Sequence, residues 1–350
     1  MNQDFWKGKT VLVTGHTGFK GSWLSIILKK LGSKVIGFSK DIPTNPSMYE
    51  ITQVEEGMIN IIGDINDFQL VKQTIEKYKP EIVIHMAAQA IVRESYKNPL
   101  ETFSTNILGT ANVLEAIRKS SCVKVAIMVT SDKSYKVKNS NQKYIEEDAM
   151  GGFDPYSSSK GCAELITSAY RNSFFDSTDI AVASVRAGNV LGGGDWAEDR
   201  LIPDMIRGIQ QKSIMEIRNP DATRPWQFVL DPIHGYLILA EKMWNDRKKY
   251  SHGWNFGPTN DDEKPVKWII EFLKDQMEQE IEIKIDNSEQ PHETKYLNLD
   301  CSKSQNLLGW SSKMTIEQTL LFTLDWYKEF LKDGDMKRFT EKQIEKFMEE

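Results

Sequence analysis

Short apolar runs alternate with segments of helical pattern or length through the first half of the chain. The runs are rich in valine and isoleucine, which is typical of strands buried on both faces of a parallel sheet. Six of them predict strands, at residues 11–13, 35–38, 59–62, 82–85, 123–129 and 180–186. Because strands and helical segments keep alternating, the pattern predicts an α/β fold with a doubly wound parallel sheet.

The pattern changes after Ala187. The stretches GNVLGGGDW and NPDATRPWQ are rich in turn residues, and the helical segments lie farther apart. We therefore predict a sheet domain over residues 1–186 and a smaller C-terminal substrate-binding domain over residues 187–350. Some segments of the second domain are expected to return to the first.

The first predicted strand runs into the stretch GHTGFKG, and apolar residues at helical spacing follow it. Gly15 permits a tight turn, Gly18 lets the backbone approach a pyrophosphate, and Gly21 lets the next helix pack closely. The N-terminus of that helix then faces an anion. Strand, turn and helix in this order predict a Rossmann dinucleotide site. The side chains of His16 and Lys20 either lie beside the pyrophosphate or point outward.

The second predicted strand lacks the carboxylate that normally binds the ribose hydroxyls. It ends in GFSK, where Lys40 either favours a 2′-phosphate or points into water. Chemistry alone therefore leaves NAD and NADP open. Asp64 follows the third strand, where a carboxylate accepts from the adenine amino group or simply stabilises a turn.

A tyrosine and a lysine one helical turn apart carry the clearest chemistry. Tyr156 and Lys160 share a helix face. Lys160 supplies the positive charge that a tyrosine, with an ordinary pKa of about 10, needs to act as a base. Ser131 follows a central strand, where open sheets bind ligands, and can hydrogen-bond the same substrate oxygen. These three residues suffice for hydride transfer, and the adjacent Asp132 and Lys133 indicate a second proton-transfer step.

Bulk composition narrows the class of protein. The 350 residues carry a formal net charge of −6, which provides no electrostatic footprint for nucleic acid. Three cysteines without metal spacing suit a reducing compartment and predict no metal site. The chain has no apolar run of membrane-spanning length, and its N-terminus lacks the apolar core of a signal peptide. We predict a cytoplasmic protein without membrane or nucleic-acid partners.

Several long motifs resemble the extended short-chain dehydrogenase/reductase family, whose members act on nucleotide-linked sugars with a bound nicotinamide cofactor. The resemblance is to its CDP-glucose 4,6-dehydratase subgroup and extends from about Phe5 to the helix containing Trp326. The motifs are GHTGFKGSWL, HMAAQ, TSDK, DPYSSSKGCAE, VRAGNVLGGGDW, RPWQFVLDP and GWNFGP. The resemblance implies NAD as the cofactor and CDP-glucose as the substrate.

The resemblance also implies a dehydration without net redox change. Tyr156 takes the proton of the sugar 4-hydroxyl while hydride passes from C4 to the nicotinamide. The C5 proton and the 6-hydroxyl are then lost, and the hydride returns to C6. Asp132 protonates the departing hydroxyl, which requires a raised pKa. Lys133 replaces the glutamate that the wider family uses at C5, so it either has a depressed pKa or stabilises the enolate while another group takes the proton.

The residues assigned to each role fall into three sets. The predicted catalytic residues are Ser131, Asp132, Lys133, Tyr156 and Lys160. The predicted cofactor contacts are Gly15, His16, Thr17, Gly18, Phe19, Lys20, Gly21, Asp64, Ile65, Ala87, Ala88, Gln89, Asn106, Tyr156 and Lys160. The predicted substrate contacts are Asn189, Arg200, Arg218, Arg224 and Tyr296. For Arg218 and Tyr296 the alternatives are a solvated strand end and a packed aromatic.

Assembly and pathway follow only from the resemblance. The subgroup implies a homodimer, or else a tetramer, paired through the helices after the Asn106 and Tyr156 segments. Its product is a precursor of deoxysugars such as those of lipopolysaccharide. Two rival interpretations remain: an epimerase or reductase of the same fold, which needs no acid at a 6-hydroxyl, and a non-catalytic nucleotide-sensing module.

Overall fold

A computed structural model describes residues 2–138, 142–211, 213–217, 219–258, 262–277, 283–285 and 297–349. The strands are β1 Thr10–Thr14, β2 Lys34–Ser39, β3 Ile59–Ile62, β4 Ile82–His85, β5 Val125–Val129, β6 Ala181–Ala187, β7 Val190–Leu191, β8 Met215–Ile217, β9 Thr223–Pro225, β10 Gln227–Phe228, β11 Gly253–Phe256, β12 Glu263–Pro265 and β13 Ile283–Ile285.

The helices surround these strands. The α-helices are α1 Gln3–Trp6, α2 Phe19–Lys30, α3 Met48–Ile51, α4 Phe68–Tyr78, α5 Val92–Lys97, α6 Pro99–Phe103, α7 Thr110–Arg118, α8 Pro155–Tyr170, α9 Leu201–Gln211, α10 Leu230–Asn245, α11 Arg247–Tyr250, α12 Val266–Gln276, α13 Ser302–Leu308, α14 Ile316–Phe330 and α15 Met336–Glu349. Ser104–Gly109 and Arg171–Phe175 are π-helical, and Asp132–Ser134 forms a 3₁₀ turn. In the described part of the chain, no helix is both long and apolar enough to cross a membrane.

Seven parallel strands form the central sheet in the order β11-β6-β5-β4-β1-β2-β3. The predicted doubly wound α/β fold is confirmed, and all six predicted strands lie in this sheet. Strand order reverses between β1 and β4, so the crevice at the carboxyl ends of these two strands is the expected ligand site of such a sheet.

Alternate residues of the central strands enter two separate cores. On β1, Val11 and Val13 pack into the larger core and Leu12 into the smaller one. This is the period of two that a strand covered on both faces imposes. The larger core continues into the C-terminal half, where Trp254 on β11 and Trp326 on α14 are fully buried.

The C-terminal half adds three small two-stranded sheets, β7 with β10, β8 with β13 and β9 with β12. It also returns to the main sheet, because β11 pairs with β6 in register from Gly253 opposite Ser184. A domain boundary at residue 187 stays a prediction.

Candidate active site

The glycine turn lies between β1 and α2, beside the point where strand order reverses. Gly15 has a φ of +77°, and a β-carbon there would lie 2.7 Å from the backbone nitrogen of Ala87. A β-carbon at Gly21 would lie 2.0 Å from the carbonyl oxygen of Gly15. Gly18 is the N-cap of α2 and has no side-chain cap. The turn is therefore tight, and the helix N-terminus is open to an anion.

His16 points into the protein. Its Nδ1 lies 2.8 Å from Ser39 Oγ, and its Nε2 lies 2.9 Å from Asn60 Oδ1. Burial lowers the pKa of His16 despite the hydrogen bond with Asn60, so the imidazole is neutral. The ring packs edge-on against Tyr49. His16 can therefore contact a cofactor only through its backbone.

Lys20 points towards the catalytic residues. Its ammonium lies 3.5 Å from the Tyr236 hydroxyl. Burial lowers the pKa of Lys20 to about 7, and the charges of Arg200 and Lys160 lower it while that of Asp132 raises it. Lys20 therefore lies close enough to Arg200, Lys160 and Asp132 for their charges to act on it.

The acidic side chains near the end of β2 hold Lys40. Its ammonium lies 3.2 Å from Glu101 and 3.6 Å from Asp64 on the surface. Asp64 also accepts a hydrogen bond from the backbone N–H of Asn66 at 2.8 Å, so it stabilises the turn after β3. Because two carboxylates already balance Lys40, this corner offers little attraction for a 2′-phosphate.

Five further cofactor candidates line the same edge of the sheet. Ala87 borders Gly15, and Ala88 follows it after β4. The Thr17 N–H lies 3.3 Å from Ser39 Oγ. Phe19 begins α2, and buried Ile65 packs against Gly109.

Asn106 joins the loop after β4 to α8. Its Oδ1 accepts from the Gln89 N–H at 2.9 Å, and its Nδ2 donates to the Gln89 carbonyl at 3.0 Å and to Ser159 Oγ at 2.8 Å. Ser159 in turn donates to the carbonyl of Tyr156 at 2.7 Å. Since Asn106 is buried and lies in the π-helical turn, it fixes the start of α8 against the cofactor edge.

Tyr156 and Lys160 lie on the buried face of α8, as predicted. Asp154 caps this helix by accepting from the Ser157 N–H at 2.9 Å. The Lys160 ammonium lies 3.5 Å from the carbonyl of Val129, at the end of β5. The cap and the lysine therefore hold the tyrosine beside the carboxyl end of the sheet.

Burial sets the protonation of this pair. It raises the pKa of Tyr156 to about 12, although a hydrogen bond with Ser131 and the charge of Arg200 oppose the rise. It lowers the pKa of Lys160 to about 8, against the charge of Glu164. Tyr156 is therefore a phenol at neutral pH in the protein alone. Acting as a base requires either a route for its own proton or more positive charge nearby.

Ser131, Asp132 and Lys133 form the turn that follows β5. Ser131 Oγ donates to Asp132 Oδ1 at 2.9 Å and accepts from the Lys133 N–H at 3.2 Å. Burial raises the pKa of Asp132, against the charges of Lys133 and Arg224. This is the direction that a general acid requires. A β-carbon at Gly188 would lie 2.9 Å from Asp132 Oδ2, so the glycine leaves room for the carboxylate.

The predicted substrate contacts fall in different places. Arg200 binds Asp195 at 2.8 Å, and its charge acts on Tyr156, so it lies near the catalytic residues. The charge of Arg224 lowers the pKa of Asp132, so Arg224 also lies near the catalytic residues. The carbonyl of Asn189 accepts from the Gln227 N–H at 3.2 Å. Arg218 and Tyr296 lie outside the described residues.

Two contributors to the site were missed from the sequence. Asp195 holds Arg200 in place, and its carbonyl accepts from the hydroxyl of Tyr327, a residue 132 positions away. Gly188 makes room for Asp132, a role that the turn-rich stretch it begins, GNVLGGGDW, does not reveal. Within the described ranges, no cluster of three histidine, cysteine or acidic side chains is placed to hold a metal ion.

The chain belongs to the GDP-mannose 4,6 dehydratase family, whose model matches residues 12–321. It is 45% identical to a CDP-glucose 4,6-dehydratase of Salmonella typhimurium, over 99% of this chain and 98% of that protein. It is 27% identical to a dTDP-glucose 4,6-dehydratase of Haemophilus influenzae, over 91% of this chain and 97% of that one. The resemblance predicted from the motifs is confirmed.

Solved structures share the fold. A dTDP-glucose 4,6-dehydratase from Bacillus anthracis in complex with NAD superposes with a TM-score of 0.75, at 24% identity over 92% of this chain and 97% of that one. An epimerase from Methanothermobacter thermautotrophicus superposes with a TM-score of 0.82, at 24% identity over 94% of this chain and 95% of that one.

Proposed function

We propose that this protein is a CDP-glucose 4,6-dehydratase, which converts CDP-glucose to CDP-4-keto-6-deoxyglucose and water. The observation that carries the proposal is Asp132, a buried carboxylate with a raised pKa, hydrogen-bonded to Ser131. Hydride chemistry at C4 needs only Tyr156, Lys160 and Ser131. An additional acid beside these three residues is needed only to protonate a leaving group. The 45% identity to a CDP-glucose 4,6-dehydratase along nearly its whole length supports the choice of nucleotide.

The glycine turn fits NAD. Side chains at Gly15 and Gly21 would collide with the backbone, and the open N-terminus of α2 suits a pyrophosphate. Lys40 is already balanced by Glu101 and Asp64, which favours NAD over a cofactor with a 2′-phosphate. When bound, NAD would supply a hydride acceptor for C4 of the sugar and a hydride donor for C6.

Tyr156 and Ser131 act at O4. Tyr156 takes the proton of the 4-hydroxyl, and Lys160 and Arg200 stabilise negative charge that develops on its oxygen. The resulting C4 ketone makes the C5 hydrogen acidic. Burial of Tyr156 and Lys160 keeps these charges away from bulk water, which strengthens their interaction.

Asp132 and Lys133 act at C5 and C6. Asp132 gives a proton to the 6-hydroxyl, which departs as water. Lys133 follows it in the same turn and is assigned as the base: its amine takes the C5 proton as the enolate forms and returns it to C5 once C6 has received its hydride. The same turn therefore carries the acid and the base that elimination requires.

Three polar side chains are assigned to the nucleotide sugar. Asn189 and Arg224 bind the diphosphate, and Arg200 binds between the phosphates and the reacting sugar, close to Tyr156. An arginine suits this role because its planar fork matches phosphate oxygens. Most of this substrate-binding part is formed by residues after Ala187, in the C-terminal domain predicted over 187–350.

The protein is further proposed to form a homodimer through α6, α7, α8 and the π-helical turns beside them. Leu100, Leu108, Leu165 and Phe174 are exposed on these adjoining segments. Monomeric proteins rarely expose several large apolar side chains so close together. A second copy of the same surface covers them in a two-fold arrangement.

The assignment is tested by incubating the protein with CDP-glucose, dTDP-glucose and GDP-mannose, with and without added NAD. We expect 4-keto sugar from CDP-glucose, without lasting accumulation of NADH, because the hydride is returned. Accumulating NADH, or no keto sugar from any donor, would exclude the dehydratase. A product with its C6 oxygen retained would indicate an epimerase or reductase.

A further inference from the structure

The catalytic turn at residues 131–134 is bonded on both sides to one buried ion pair. On its N-terminal side, Thr130 Oγ1 donates to Glu164 Oε1 at 2.5 Å. On its C-terminal side, Tyr135 Oη accepts from Arg186 Nη1 at 2.6 Å. The ring closes because Arg186 donates to Glu164 at 2.8 Å through both Nε and Nη2. We call these four residues, Thr130, Glu164, Arg186 and Tyr135, the clamp.

The hydrogen bonds that the side chains of the turn make are local. Ser131 Oγ donates to Asp132 Oδ1 and accepts from the Lys133 N–H. Ser134 Oγ donates to the Ser131 carbonyl at 2.6 Å. These bonds shape the turn, but they do not fix it relative to the rest of the site. The position of Asp132 and Lys133 against a bound sugar therefore depends on what holds the residues on either side of the turn.

The clamp is buried and fully hydrogen-bonded. The Glu164 carboxylate accepts four hydrogen bonds, because Ser184 Oγ adds one at 2.6 Å to those from Thr130 and Arg186. Tyr135 Oη also donates to Asn255 Oδ1 at 2.7 Å. Buried ion pairs add little net stability, because the cost of desolvating the charges offsets their attraction. What such a pair contributes is geometry, since a planar guanidinium and a carboxylate bind in one fixed arrangement.

The base that acts at O4 is held by other contacts. The Tyr156 N–H donates to the buried Ser95 Oγ at 3.1 Å, and Asp154 caps the same helix. Elimination takes both its acid and its base from the turn, whereas hydride transfer takes Tyr156 and Lys160 from α8. Loosening the clamp should therefore impair elimination more than oxidation at C4.

We propose that the clamp positions Asp132 and Lys133 for elimination, by holding both sides of their turn to a single ion pair. The proposal rests on the proposed dehydratase function. Thr130 and Tyr135 are thus positioning residues, because each acts through the turn beside it and not on the sugar. The same ion pair ties the turn to α8, so that the groups for elimination keep their place relative to Tyr156.

The test removes one clamp hydroxyl at a time and leaves the ion pair intact. Thr130→Val and Tyr135→Phe are compared with the unsubstituted protein, each as the full chain with NAD and CDP-glucose. Thr130→Ser keeps the hydroxyl and tests for rescue. Steady-state kinetics, NADH absorbance during turnover and thermal unfolding are measured for every protein.

Two buried hydroxyls outside the clamp provide matched controls. Thr167 Oγ1 donates to the Ala163 carbonyl at 2.7 Å, and Tyr144 Oη accepts from the Lys138 N–H at 2.9 Å. Thr167→Val and Tyr144→Phe therefore lose a comparable hydrogen bond without loosening the turn. Both controls should keep the kcat of the unsubstituted protein and show no accumulation of NADH.

We expect Thr130→Val and Tyr135→Phe to lose about tenfold or more in kcat, because the acid and base of elimination are misplaced. The KM for CDP-glucose should change by less than about threefold, since the proposed diphosphate contacts lie on other segments. NADH should accumulate while substrate lasts and then disappear, because C4 is oxidised faster than water is lost. Thr130→Ser should restore most of the activity.

Kinetics of both variants equal to those of the controls would overturn the clamp. A loss of kcat without accumulation of NADH would also overturn it, because a general loss of structure impairs oxidation and elimination alike. Because the two hydroxyls lie on opposite sides of the turn, either variant decides the matter if the other fails to fold. Absence of keto sugar from CDP-glucose in the unsubstituted protein would instead overturn the dehydratase assignment, and the clamp with it.

Discussion

Tyr156 and Lys160 are both buried, and burial shifts the pKa of each towards its neutral form. The pair therefore does not rest as an ion pair in the protein alone. Arg200 adds the positive charge that lowers the cost of a tyrosinate, and Asp132 opposes it. The reactivity of Tyr156 thus depends on the balance of charges brought to it by three different segments.

Tyr156→Phe should abolish turnover, by about 10³-fold or more, because the ring stays in place while the proton acceptor is lost. The affinity for CDP-glucose should be nearly unchanged. Keto-sugar formation and titration calorimetry measure the two effects. Tyr49→Phe is the matched control, because the buried Tyr49 hydroxyl has no hydrogen-bond partner among the residues that the structure describes, and it should keep full activity. Unchanged turnover in Tyr156→Phe would remove this residue from the mechanism.

Gly188→Ala should lower kcat by on the order of 10²-fold with little effect on stability. The new methyl group would lie 2.9 Å from Asp132 Oδ2, and the carboxylate is the part that can move. Steady-state kinetics and thermal unfolding separate the two effects. Gly208→Ala, in α9 with only ordinary contacts, serves as the control and should keep its activity. A wild-type kcat in Gly188→Ala would mean that Asp132 tolerates displacement.

At the scale of elements, α8 carries acidic, basic and phenolic groups along one face. Tyr156, Lys160 and Glu164 recur at intervals of four residues. Glu164 accepts two hydrogen bonds from Arg186 on β6, both at 2.8 Å, and one from Thr130 at 2.5 Å. The ion pair therefore joins the catalytic helix to β6, and the Thr130 hydrogen bond joins it to the end of β5, where the Ser131 turn begins.

Glu164→Gln should lower the free energy of unfolding by about 3–5 kcal/mol, because it leaves the Arg186 charge buried without its partner. Denaturant unfolding measures the change. The control is Glu115→Gln, whose partner Arg118 lies on the surface, and it should cost about 1 kcal/mol or less. Equal costs for the two variants would contradict a structural role for the buried pair.

The start of α10 contains a carboxyl group that responds to pH. Burial raises the pKa of Asp231 to about 7, although hydrogen bonds from the Lys313 N–H and Ser312 oppose the rise. A carboxyl whose folded pKa is raised contributes stability at low pH, and this contribution is lost as pH rises towards 7. Asp231→Asn should therefore gain stability relative to the unsubstituted protein between about pH 4 and 8. Denaturant unfolding at pH 4 and pH 8 measures the free energy of unfolding of both proteins. If the difference between them is the same at the two pH values, the raised pKa of Asp231 is contradicted.

At the scale of the whole molecule, the sheet brings every catalytic group to one edge. The glycine turn follows β1, the Ser131 turn follows β5, and α8 lies between β5 and β6 in sequence. Since all seven strands are parallel, their carboxyl ends meet on the same side. The C-terminal half then closes this edge, with Asp195 and Tyr327 holding Arg200 near Tyr156.

The proposed dimer is also a property of the whole molecule. Leu165→Glu should shift the protein towards monomer, because a charge would enter the surface that two copies bury. Sedimentation velocity measures the change. Leu307→Glu, at an exposed leucine on α13, is the control and should not alter the assembly. If both variants sediment as the unsubstituted protein does, the surface around α8 is not the interface.

The sequence by itself determined the elements and the local chemistry. Period and composition predicted all six strands, because buried parallel strands require continuous apolar runs. The glycine turn and the Tyr156–Lys160 pair were also predictable, since each depends on residues within seven positions of one another. Residue spacing is sufficient to predict such features, because neighbouring residues alone fix the geometry of a turn or of one helix face.

Only the tertiary structure decided where the longer side chains point. His16 and Lys20 belong to one turn, yet His16 bonds Ser39 and Asn60 while Lys20 turns towards Asp132. Arg200 lies beside Tyr156 because Asp195 holds it there. These positions, like the pairing of β11 with β6, depend on contacts between segments far apart in the chain, and burial there sets the charges on which the chemistry depends.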